Sequence, residues 1–132
     1  MPFEIKFRDG LLLVDLHGKI RRADFVQLAL ALEEWEARLP VTPDRITNTT
    51  AADASELLSR DLVEIAERRH HSRFKNSFKS AIVAPPPELH GQARMFLGFN
   101  QNPDIELMIF KDAASAYHWL GRVGKPDAAA SE

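Results

Sequence analysis

At 132 residues, 45% of them hydrophobic, the chain is long enough to close a core without covalent staples and short enough to do so as one domain. A formal net charge of −2 excludes a whole-molecule field aimed at nucleic acid or an anionic membrane. The complete lack of cysteine excludes disulfides, thiolate catalysis and thiolate metal sites, and fits a reducing compartment.

Phe3, Ile5 and Phe7 alternate with Glu4, Lys6 and Arg8, the period of a strand with one wet face. Asp9-Gly10 then predicts a type I′ hairpin turn, because both central positions of that turn need positive φ. Leu11 to Leu16 is apolar apart from Asp15, as in a strand covered on both faces. This N-terminus has no signal-peptide pattern, so the protein is expected to be cytoplasmic, without membrane insertion. From Arg21 to Leu39 the residues Phe25, Leu28, Ala29, Leu32, Trp35 and Leu39 fall at helical spacing, with Glu33, Glu34, Glu36 and Arg38 opposite, and Pro40 and Pro43 close the helix. A strand ending in Thr47, Asn48, Thr49 and Thr50 follows. A second helix is predicted from about Asp53 to Arg69, with Asp53 and Glu56 at the spacing of a capping box. Phe78 to Ala84 reads as a buried strand before three prolines. Leu89, Ala93, Phe96 and Leu97 mark a third helix entered by Pro87. IELMIFK is the last strand, Asp112 caps a short final helix, and residues 124–132 are expected to fray as a tail after a domain spanning residues 1–123.

The order β-β-α-β-α-β-α-β-α predicts a single α/β domain: a mostly parallel five-stranded sheet with an N-terminal antiparallel hairpin and four helices. Three stretches, HGKIRRADFVQL, SRDLVEIAERRHHSRFKNSFKSAIVA and FKDAASAYHWLGRV, resemble the SpoIIAA-like family of the STAS superfamily from about Phe3 to Val123. The resemblance implies a β-α superhelix shared with lipid-carrying CRAL-TRIO domains, and a regulatory role. In such members a kinase phosphorylates a serine in Asp-Ser-Ser/Thr-Gly at the start of a helix. The nearest match in this chain, Asp53-Ala54-Ser55-Glu56, departs from that motif at two positions.

Thr49, Thr50, Asp53 and Ser55 are the candidate switch or anion site, since hydroxyls at the carboxyl end of a parallel strand face the crevice where open α/β sheets bind ligands. The same residues also read as β-formers followed by a helix cap. Phe96 and Phe99 are the candidate ligand or partner surface, in a segment rich in large apolar groups. The basic run from Arg68 to Lys79 reads either as a phosphate-contacting patch or as cations complementing a helix C-terminus, and nucleic acid is not expected as a partner. Adjacent His70 and His71 project about 100° apart on a helix, so no metal or other cofactor is expected. Asp15 is an isolated carboxylate in an apolar strand, either a buried acid or a strand-end group, and no nucleophile-base signature accompanies it. The functional expectation is a non-catalytic STAS-like regulatory or protein-interaction domain, tuned near Ser55, whose partner is another protein or a second copy in a homodimer. The alternative is a carrier or sensor of a small apolar or amphipathic ligand.

Overall fold

The computed structural model describes residues 2–70, 74–85, 88–99 and 102–121, the side chains of residues 69, 70, 88 and 97–99 excepted. Their elements run β1 (Phe3–Arg8), β2 (Leu11–Lys19), α1 (Arg22–Arg38), β3 (Asp44–Asp53), α2 (Ser59–His70), β4 (Phe78–Val83), α3 (Glu88–Phe99), β5 (Ile105–Phe110) and α4 (Ala113–Trp119). The strands form one sheet in the order β1-β2-β3-β4-β5, antiparallel only between β1 and β2. This is the α/β architecture expected from the alternation. The tail expected from Gly124 and the helix entry at Pro87 lie outside the described residues.

The hairpin closes through Asp9 and Gly10 at φ 55° and 74°, which fits the type I′ turn. Strand alternation then sorts the side chains between two faces. Leu12, Val14 and Leu16 join Leu28 and Leu32 of α1 in one apolar cluster. Leu11, Ile46, Ala81 and Val83 pack on Ala116, Tyr117 and Leu120 around α4 on the other face. Leu12, Val14 and Val83 are almost wholly buried, each stabilising the fold by about 2 kcal/mol. On β2 the double coverage ends at Val14, since Asp15 is exposed.

The largest departure from expectation is the β3–α2 boundary. The second helix begins at Ser59, not near Asp53, because β2 runs on to Lys19 and gives Ala51, Ala52 and Asp53 strand partners in His17, Gly18 and Lys19. The pairing shifts by one residue between Asp15 and His17, so that Thr49 and Thr50 both stand opposite Leu16 as a β-bulge. The bulge reverses the alternation of β3, and Ala52 thereby reaches the α1 face. The capping box of Asp53 and Glu56 does not form. Its acidic half is supplied by Asp61, whose Oδ2 accepts the Leu58 N–H at 2.8 Å, three residues before it. At α1, similarly, Asp24 accepts the Arg21 N–H at 3.0 Å, which explains a helix start without Ser or Thr.

Candidate functional site

The face of the sheet beneath α1, α2 and α3 is apolar at its margins and polar in the middle. Arg45, Thr47 and Thr49 of β3, with Ser80 of β4 beside Arg45, occupy central positions on that face. Apolar side chains stand above them: Phe25, Leu28 and Leu32 from α1, Leu62 and Ile65 from α2, Leu89, Ala93 and Phe96 from α3. Between the two layers lies a cavity of about 150 Å³. Ala54 and Leu57, from the β3–α2 connection, complete its wall.

Five polar side chains line the cavity, those of Arg45, Thr47, Thr49, Ser80 and Gln92, and they define what it can recognise. Arg45 is 5% exposed, its Nη2 2.8 Å from Oε2 of Glu36, which is also buried, and its guanidinium lies 5.2 Å from the Phe78 ring centroid. The Thr49 hydroxyl donates to the carbonyl of Val83 at 2.7 Å, leaving its lone pairs as acceptors. The Ser80 hydroxyl is a further donor and acceptor in the lining. Gln92 donates from Nε2 to the Ala54 carbonyl at 2.9 Å, which fixes the orientation of its amide. The opposite amide atom, Oε1, is buried with no hydrogen-bond partner among the described residues. An acceptor left so costs about 1–3 kcal/mol until a donor reaches it.

The structure divides the residues anticipated from the sequence. Thr49 lines the cavity at the bulge. Thr50 does not: it is exposed, with its N–H and hydroxyl donating to Asn48 Oδ1 at 2.9 and 2.6 Å. Asp53 and Ser55 are also exposed, Asp53 Oδ1 accepting the Ser55 N–H at 3.0 Å. α2 starts four residues beyond Ser55, so its N-terminus does not begin at this group. Hydrogen bonds from Ser55, chiefly its side chain, hold the Asp53 carboxyl below its ordinary value. Hydrogen bonds from Lys19 and then Arg21 do the same for Glu56. Phe96 lies in the cavity wall, edge-on to Phe25 with centroids 6.4 Å apart. The side chain of Phe99 lies outside the described residues.

Asp15 and His17 are exposed and take no part in the cavity. The described part of the basic run is engaged locally. Arg68 grips Glu33 through two hydrogen bonds of 2.6 and 2.7 Å, Lys75 donates to the Ala37 and Leu39 carbonyls at the end of α1, and Lys79 lies 5.1 Å from the Trp119 ring centroid. Among the described residues no three His, Asp or Glu side chains gather as metal ligands, and no helix is long and apolar enough to cross a membrane.

Gln92, Arg45 and Ser80 belong to no motif along the chain. The available signal was positional: Gln92 interrupts the apolar stripe of Leu89, Ala93 and Phe96, and Arg45 shares a strand face with Thr47 and Thr49.

Layers, strand order and crossovers together make this a SpoIIAA-like α/β fold. A crystal structure of an uncharacterized protein of the DUF3478 family from Shewanella loihica PV-4, itself with a SpoIIAA-like fold, is similar over 89% of this chain and 91% of its own, at 21% identity and a TM-score of 0.57. No protein-family model matches the chain, and no curated protein matches it significantly.

Proposed function

We propose that the protein is a non-enzymatic sensor or carrier that encloses a small, mostly apolar molecule bearing one hydrogen-bond donor. The observation that carries this reading is the cavity between the sheet and α1–α3, lined by Gln92, whose buried Oε1 has no hydrogen-bond partner among the described residues. Its size is that of apolar cavities that take up a benzene ring. Phenol, a ring of that size with one donor, therefore represents the ligand class. A small turn of the Gln92 side chain would bring Oε1 to the phenol hydroxyl, while the ring replaces empty contacts along Phe25, Leu62 and Phe96.

A regulatory output follows from where the wall lies. Ala54 and Leu57 touch the cavity and flank Ser55 and Glu56 at the surface, and the hydrogen bond from Gln92 to the Ala54 carbonyl ties α3 to this connection. An occupant that bonds Gln92 Oε1 would shift the amide whose Nε2 holds the Ala54 carbonyl, and so act on the exposed segment, where a protein partner could read it.

Titration of the purified protein with phenol and toluene, followed by amide chemical shifts and Tm, tests the reading. Both probes are expected to bind and to raise Tm by mass action, phenol about tenfold more tightly because one added hydrogen bond is worth about 1–1.5 kcal/mol. Failure of both to bind would overturn the proposal, as would detection of substrate turnover at this site.

A further inference from the structure

The open edge of β1 is complementary to itself. In the β1–β2 pairing each partner sum is constant, Phe3 facing Leu16 and Arg8 facing Leu11. The His17 N–H donates to the Pro2 carbonyl at 2.8 Å, and Arg8 with Leu11 closes the two-residue turn. Residues 2, 4, 6 and 8 are therefore the hydrogen-bonded pairs with β2, and the backbone groups of Phe3, Ile5 and Phe7 point away from the sheet. β1 stands at the end of the strand order, so no strand among the described residues meets them.

We infer that a second copy of this chain pairs with that edge, β1 against β1 antiparallel about a two-fold axis at Ile5. Only this register engages all three outward residues of both copies: Ile5 opposite Ile5, Phe3 opposite Phe7 and Phe7 opposite Phe3, making six backbone hydrogen bonds. The same register sets Glu4 of each copy directly opposite Lys6 of the other, two opposite-charge pairs on the wet face. Phe7, 42% exposed in the single chain, gains cover from Phe3 of the other copy. Charged residues on an edge strand ordinarily deter pairing. Here one acid and one base, two residues apart and symmetric about Ile5, deter strangers and accept a copy. The other edge cannot do this, because Glu106 is the sole charge within β5. The dimer joins two sheets into ten continuous strands and leaves both cavities, which lie beneath α1–α3, unobstructed.

An interface of one strand pair is small, so the association is expected in the micromolar range, as a concentration-dependent monomer–dimer equilibrium in sedimentation velocity. Glu4→Lys and Lys6→Glu, each placing like charges opposite one another, should weaken it at least tenfold. The double variant should restore it. Ile5→Pro removes an outward N–H that β2 does not use, so it should abolish the dimer while far-ultraviolet circular dichroism stays native. Should Ile5→Pro fail to fold, the charge-swap set decides alone. A wild-type chain that stays monomeric up to about 1 mM overturns the inference, and so does a dimer indifferent to the charge swaps.

Discussion

Arg45 and Glu36 form the one buried ion pair among the described residues with both side chains below a tenth exposed. Both charges have left water, so removing either takes its opposite charge from the other in a poorly solvating interior. Glu36→Leu is expected to lower stability by about 3–5 kcal/mol, and adding Arg45→Met should return most of it, since apolar groups of similar volume often replace a buried pair without loss. Urea denaturation with unchanged m measures both. A single-variant cost below about 1 kcal/mol would mean that water reaches the pair. Neither partner was legible as such along the chain. Glu36 sits at the edge of the acidic stripe with Glu33 and Glu34, and only the return of β3 beneath α1 brings Arg45 to it. Gln92 was hidden for the same reason: its amide matters through Ala54, which lies far away in sequence.

At the scale of elements, the sequence revealed kinds and order better than ends. The rule of an acid reaching back to cap a helix held, but at Asp61 and Leu58 instead of Glu56 and Asp53. What displaced it was a competitor that local pattern does not contain, the extra length of β2 that draws Ala51–Asp53 into the sheet through the bulge at Thr49 and Thr50. Released from capping, Glu56 instead ties the β3–α2 connection to Lys19 at 3.0 Å and Arg21 at 3.1 Å. Its carboxyl is held below the ordinary value by these two cations, Lys19 first. The sign is that of a depressed acid: the contribution is complete above the unfolded glutamate range and is lost as pH falls through the lower folded value. All three groups are substantially exposed, so the effect is small and screened by salt. Glu56→Gln should lower the urea midpoint at neutral pH in low salt, and the difference should close as the pH drops below about 4 or as salt rises to about 1 M. A difference constant with pH would assign Glu56 to packing rather than charge.

The two faces of the sheet are packed to different tolerances, and this asymmetry governs the whole molecule. Against α4 the residues Ala81 and Ala116 are completely buried, so helix and sheet approach closely. Against α1–α3 the helices span a wider surface whose middle carries Arg45, Thr47, Thr49 and Ser80, and large side chains at the rim hold the layers apart. Alternating strands and helices made the layers legible in the sequence. The space between them was not, because it depends on how three helices stand off one face. Paired substitutions by the same residue separate the faces. Ala93→Leu on α3 places three further carbons in the cavity, and is expected to stabilise by about 0.5–2 kcal/mol while eliminating toluene and phenol binding. Ala81→Leu, on the closely packed face, should destabilise by about 1–3 kcal/mol through overpacking and leave probe affinity intact in the folded fraction. Thermal and urea denaturation of both variants, with probe titration of each, gives the comparison. If Ala93→Leu destabilises as much as Ala81→Leu, α3 rests on the sheet in solution and no space stands there for a ligand to fill.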